Sequence, residues 1–219
     1  MRKKGFFKLL RRNAGYTIAE LLMSTFIFST MATSLYSLLS LSNIIVRTHD
    51  VQTRISYDGL QVLRTINREL TQTSYTTDRL VITTDGSGNS IIRFQIPVDY
   101  DDDGDVAASD LTKSIEWGAY DKLGNTAKGS GANPLSRWVR YSVSNGQLQR
   151  EVLDSMLAAD TSLTTVICND VLSFTAVQNT TTITLTLTVS VTDTTGQAGA
   201  TRTMQHAFTY QTNLRNAPT

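Results

Sequence analysis

The sequence predicts an α+β chain in which a long N-terminal helix, apolar in its first half and amphipathic in its second, packs on an antiparallel β-sheet body. Three observations lead there. Residues 16–46 hold a single charged residue, Glu20, among Leu, Ile, Phe and Met; residues 47–75 repeat apolar residues at helical spacing; and Ile183, Leu185, Leu187, Val189 and Val191 alternate with Thr and Ser. The first two patterns are those of a helix, and the third is that of a strand with one buried face.

Composition limits what such a chain can do. At 219 residues, 40% of them hydrophobic and only three of them Pro, it can bury one ordinary core and carry an appendage. The formal net charge of +1 is unevenly spread: Arg2, Lys3, Lys4, Lys8, Arg11 and Arg12 occupy residues 1–15 without an acid among them, which leaves 14 basic against 19 acidic residues in the remainder. A mildly acidic body gives no specific nucleic-acid site, because that needs a basic face or stripe. Cys168 is the only cysteine, so no intrachain disulfide forms, and His49 and His206 stand apart, so no zinc spacing exists. Cys168 is expected as a small core residue.

Residues 1–15 read as a basic leader and residues 16–46 as a membrane-spanning helix, since a bilayer is crossed by about 20 apolar residues at 1.5 Å each. The positive leader places the N-terminus in the cytoplasm and the body outside a single-pass cytoplasmic (inner) membrane. A secretory signal peptide cut after Ala32 is the competing reading. It fits poorly, because the apolar run continues past that point and Glu20 lies in its middle, where a carboxylate costs about 2.5–3.5 kcal/mol. An acid kept at membrane depth at such a cost points to function.

The residues Gly15-Tyr16-Thr17-Ile18-Ala19-Glu20-Leu21-Leu22 resemble the cleavage and methylation motif of type IV prepilins and type II secretion pseudopilins: a basic leader ending in Gly, an aromatic first mature residue, and a Glu four positions after it. The resemblance covers about the first thirty-five residues, and Tyr16 replaces the commoner Phe. It implies cleavage between Gly15 and Tyr16 by a prepilin peptidase, N-methylation of Tyr16, and a role for Glu20 in assembly. The expected partners are other minor and major pilins or pseudopilins and an inner-membrane assembly platform. Physically, the Glu20 carboxylate can pair with the α-amino group of an adjacent subunit only at one axial height, so it would set register more than it adds stability.

The helix is expected to continue through residues 47–75. Val51, Ile55, Val62, Leu63, Ile66 and Leu70 form one stripe, while Arg54, Asp58, Arg64, Arg68 and Glu69 fall largely elsewhere around the helix, and Gly59 is a candidate bend. The N-terminal half is expected to protrude. Residues 76–219 read as a β-rich extracytoplasmic domain. Strands at 80–84 and 90–96 flank Asp85-Gly86-Ser87-Gly88-Asn89; strands at 138–143 and 147–152 flank Ser144-Asn145-Gly146, where Asn-Gly suits a tight hairpin; and Met204, His206, Phe208 and Tyr210 form the partner of the 183–191 strand after a turn at 194–200. The strings 140–143 and 145–150, with Leu214-Arg215-Asn216, resemble the C-terminal halves of J-type minor pseudopilins and W-type minor pilins. That resemblance favours a minor subunit that primes or caps a type IV pilus or a type II secretion pseudopilus.

One further constellation carries chemistry. Asp99, Asp101, Asp103, Gly104, Asp105 and Asp110 fall at positions 1, 3, 5, 6, 7 and 12 of a calcium loop with EF-hand spacing. Alternate carboxylates converge on one hard cation, Gly104 permits the sharp turn, position seven offers its backbone carbonyl, and Asp110 closes the shell in place of the usual Glu. Calcium is the expected cofactor and a solvated acidic turn the plain alternative. Sequence motifs of catalysis are missing: there is no G-x-S-x-G, Walker loop or zinc-protease helix. The chain is therefore expected to be non-enzymatic. Two other functions stay open: a tip module that binds DNA or a host surface, and a membrane-anchored calcium-binding domain that never polymerises.

Overall fold

The computed structural model describes residues 17–74, 78–99, 101–107, 114–121, 123–128, 137–154, 156–193 and 202–214. The chain is α+β, and it divides into two units, 1–49 and 50–219. Helix α1 is assigned over Ile18–Leu70, ending at Leu70 rather than at 75.

In the first unit the described residues are the start of α1, and every residue of 17–39 is exposed. This helix is long and apolar enough to serve as a membrane anchor. Seven of its hydroxyls are satisfied internally: Ser24, Thr33, Ser34, Ser37 and Thr48 each donate to the carbonyl four residues back, at 2.8–3.0 Å, and Thr25 and Thr30 to the carbonyl three back. In a solvent without hydrogen-bond partners, this back-bonding is what lets a Ser- and Thr-containing helix stay apolar outward.

The second unit holds the core. From α1 it takes Ile55, Val62, Leu63, Ile66 and Leu70 of the stripe expected from the spacing, together with Gly59, while Val51 of that stripe is only partly buried. The strands are β1 (Leu80–Thr84), β2 (Ser90–Phe94), β3 (Ile96–Pro97), β4 (Trp117–Gly118), β5 (Trp138–Ser144), β6 (Gln147–Leu153), β7 (Thr165–Cys168), β8 (Val171–Asn179), β9 (Thr182–Asp193) and β10 (Arg202–Asn213). They build a five-stranded antiparallel sheet ordered β1-β2-β5-β6-β7, a three-stranded one ordered β10-β9-β8, and the pair β3-β4. The single sheet expected from the sequence is thus several. Amides of β8 tie the two larger sheets: Phe174 donates to Asn89 Oδ1 at 3.1 Å and Ala176 to Ser90 Oγ at 2.9 Å.

Turn chemistry explains the hairpins. Asn145 and Gly146 both take positive φ, 51° and 71°, as the two-residue turn between β5 and β6 requires. Asp85-Gly86-Ser87-Gly88-Asn89 and the turn in which Asp121 meets Leu123-Gly124-Asn125 use the same device. In each, the aspartate Oδ1 accepts amides two and four residues on, from Ser87 and Asn89 at 2.8 Å and from Leu123 and Asn125 at 2.7 and 2.9 Å.

Gly59 does not end the helix. A Cβ there would lie 2.4 Å from the Phe208 ring, so glycine is required for the close approach of α1 to β10. Farther along, Thr212 donates to Asn67 Oδ1 at 2.7 Å. The last turn of α1 faces the other sheet, where Glu69 accepts from Tyr141 of β5 at 2.7 Å and from Arg150 of β6 at 3.0 Å. Glu69, placed by helical spacing among the solvent-side charges, is turned inward.

Candidate functional site: the helix start and an acidic loop

Of the residues at the helix start, Gly15 and Tyr16 lie outside the described residues. Thr17 and Glu20 form a capping box. The Thr17 amide donates to Glu20 Oε2 at 2.9 Å, the Glu20 amide donates to Thr17 Oγ1 at 3.3 Å, and the Thr17 hydroxyl donates to the same Oε2 at 3.1 Å. The first intrahelical bond runs from the Leu21 amide to the Thr17 carbonyl at 3.1 Å, so α1 begins at this pair. Thr17 is a residue that the motif-based reading missed, although the T-x-x-E spacing announces it. Glu20 therefore has a local partner within its own helix, one turn inside its start.

The acidic loop follows β3 and is closed by short β contacts: the Val98 amide donates to Glu116 O and the Glu116 amide to Val106 O, both at 2.9 Å, and Ala107 bridges Ile115. Within it, Asp99, Asp101 and Asp103 each offer a carboxylate oxygen, and these oxygens lie within 4.8 Å of one another. Two oxygens bound to one calcium at 2.3–2.6 Å can be at most about 5 Å apart, so the spacing fits one cation. Gly104 has φ 88°, the positive value expected at the sixth position, and its amide donates to Asp99 Oδ2 at 2.9 Å. Asp99 Oδ1 is buried and has no hydrogen-bond partner among the described residues. A buried carboxylate oxygen is costly to leave unpaired, and a cation would remove that cost.

The other predicted ligands are placed differently. Asp105 turns its carboxylate back onto the backbone, accepting from Val106 at 2.7 Å, which leaves position seven its carbonyl. Asp110 lies outside the described residues. Two residues from a separate segment join the loop: Thr126 Oγ1 donates to the Asp99 carbonyl at 2.7 Å, and Lys128 pairs with Asp102. Neither was legible in the spacing, since both come from more than twenty residues away.

The remaining candidates are structural. Cys168 is buried beside a groove of about 620 Å³ between α1, β7, the Asn169-Asp170 turn and β9. Burial first, then the charges of Asp58 and Asp170, push its thiol up to about 11, so it stays protonated and is no nucleophile near neutral pH. His206 is exposed, with its ring edge-on to Phe208 at 4.8 Å.

No family model matches the chain, and neither the curated proteins nor the solved structures give a significant match.

Proposed function

We propose that this chain is the precursor of a non-enzymatic, membrane-anchored filament subunit of the type IV pilin class. In this reading a prepilin peptidase cuts it between Gly15 and Tyr16, Tyr16 is N-methylated, and the product acts as a minor pilin or pseudopilin that primes or caps a type IV pilus or a type II secretion pseudopilus. One observation carries the reading. A helix assigned from Ile18 to Leu70 starts immediately after the Gly15-Tyr16 pair, exposes its apolar first half and gives its last turns to the core of the body. An exposed apolar helix is stable in a lipid bilayer or in the core of an assembly, and storage followed by assembly uses both. A leader cut beside the helix start leaves the Thr17–Glu20 cap intact, so processing does not unravel the anchor.

Processing tests this directly. In cells containing a prepilin peptidase, the membrane fraction should yield a protein beginning at Tyr16, and Gly15→Ala should slow or block its appearance. A mature terminus after Ala32, read by N-terminal analysis and intact mass, would refute the proposal in favour of a signal peptide.

The acidic loop supports calcium as a ligand of the body, held by the carboxylates of Asp99, Asp101 and Asp103, with the Asp105 carbonyl and Asp110 completing the shell by the template. Calcium should then raise the melting temperature of the full chain in detergent. Binding only to the folded state stabilises by about 2.7 kcal/mol at a hundredfold excess over the dissociation constant. Extracellular calcium modules bind at about 10⁻⁴–10⁻³ M, so the titration must reach millimolar levels. Asp99→Ala with Asp103→Ala should abolish the shift, and magnesium should give less of it. A melting curve indifferent to calcium, with no heat of binding, would make the loop a solvated turn.

A further inference from the structure

Among the described residues three turns share one hydrogen-bond pattern, and one of them breaks its rule. Besides the turns that start at Asp85 and Asp121, the turn in which Asp154 meets Met156-Leu157-Ala158 gives its aspartate Oδ1 to the Met156 and Ala158 amides, at 2.9 and 2.8 Å. In all three the fourth residue donates its amide to the aspartate carbonyl, Gly88 and Gly124 at 3.2 Å and Leu157 at 3.0 Å. That residue takes positive φ, 84° at both glycines and 67° at Leu157. Glycine adopts this conformation freely, whereas a bulky side chain is strained by it, and such strain marks places of use. The strained turn also shows apolar surface: Met156 is 87% exposed, more than any other large apolar residue described, and Leu157 is 38% exposed.

The complementary feature is the groove between α1, β7 and β9. Its floor is apolar, with Ile55, Val62, Cys168 and Val189 buried and Val51 and Val191 half-buried, and its rim carries the exposed side chains of Arg54, Gln61 and Asp170. Turn and groove stand at opposite ends of β6. Leu148, near the start of that strand, pairs with Cys168 in the groove, while the turn follows Leu153 at its end, five residues or about 17 Å farther on. The turn therefore cannot fill the groove of its own body. We propose that it fills that of a second copy: Met156 and Leu157 of one chain enter the groove of the next and join the bodies head to tail. Burial of exposed apolar side chains against an apolar floor drives the contact, and the polar rim closes round it. Both halves are carried by this chain, which is what names a second copy as the occupant. Because the two surfaces differ, each joined pair keeps one free turn and one free groove, so the contact propagates rather than stopping at a dimer. The inference uses the body alone and goes beyond the filament-subunit reading, to which it adds a contact between copies.

The test places single cysteines in the full chain, in a Cys168→Ala background, and co-expresses two differently tagged copies in one cell: Met156→Cys in one and Gln61→Cys, at the exposed groove rim, in the other. On mild oxidation we expect the disulfide joining the two tags to dominate over same-tag disulfides. In chains with no added cysteine, Met156→Asp should lower co-purification of the two tags by about tenfold or more, since it removes an apolar side chain from the contact. Its melting temperature should not change, because residue 156 is exposed in the single copy. Absence of the mixed disulfide, or an excess of same-tag disulfides through position 156, would overturn the proposal. A Gln61→Cys thiol captured by a different protein would do the same by giving the groove to another partner. So would undiminished co-purification of Met156→Asp, or a fall in its melting temperature, which would assign the turn to the folding of its own body. Correct processing at Tyr16 without the mixed disulfide would sink this contact and leave the filament-subunit reading standing; the mixed disulfide with a terminus after Ala32 would do the reverse.

Discussion

Glu69→Ala is expected to destabilise the body by about 3–5 kcal/mol, because it removes one partner of a buried ion pair and strands the other. The Arg150 and Glu69 side chains are only 6% and 12% exposed, and Arg150 Nε donates to both Glu69 oxygens, at 3.0 and 3.1 Å. Burial disfavours the guanidinium charge, but Glu69 and Tyr141 together outweigh it and hold the Arg150 pKa up. Burial and the Glu69 charge also push the Tyr141 phenol well above its ordinary value, so it remains a donor to Glu69. Arg150 Nη2 reaches the Tyr120 carbonyl at 2.8 Å, while its Nη1 is buried without a partner among the described residues, so the pair has little spare hydrogen bonding to absorb the loss. For a body of this size the cost corresponds to a fall in melting temperature of roughly 6–20 °C. Glu69→Leu with Arg150→Met should recover most of it, since replacing a buried pair by apolar side chains is often neutral. Thermal unfolding followed by circular dichroism decides this. A loss below about 1 kcal/mol for the single variant would place the pair with surface salt bridges.

Incorporation into filaments, or into a complex with other minor subunits, should be lost for Glu20→Gln while insertion and cleavage persist. The two jobs argued for Glu20 separate in this variant. Gln can keep the capping box with Thr17, because either side chain serves at that position, but it carries no charge to meet the α-amino group of a neighbouring subunit. Glu20→Ala removes both and additionally exposes the Thr17 amide, so it should also loosen the first turn of α1. Sheared filaments or co-purified complexes, quantified for the three forms, provide the measurement. Gln behaving as Glu, with only Ala defective, would reduce Glu20 to a helix cap. Normal incorporation of both variants would remove it from assembly altogether.

What the sequence determined by itself was whatever depends on neighbours within a turn or a strand. The apolar stripe of Ile55, Val62, Leu63, Ile66 and Leu70, the alternation of β9, the Asn145-Gly146 hairpin and the aspartate spacing of the acidic loop are all short-range periodicities, and each states its local structure directly. Local signals could still be overlooked, as the Thr17–Glu20 spacing shows, or broken. In β8 a bulge between Val171 and Ser173 slips the alternation by one residue, so its apolar residues no longer mark one face.

Tertiary structure alone decided everything that depends on pairing across long separations. Helical spacing sends Glu69 toward solvent, and only the arrival of Tyr141 and Arg150, more than seventy residues away, makes an inward carboxylate favourable. Gly59 looks like a bend until Phe208 fills the space where its side chain would be. The division of the strands into separate sheets and the tie from Thr126 to the Asp99 carbonyl likewise follow from which segments find each other. The physical reason is common to all of them. A residue's periodicity is set by its own backbone, whereas its partner is set by the burial of apolar surface over the whole body, and no window of sequence contains both.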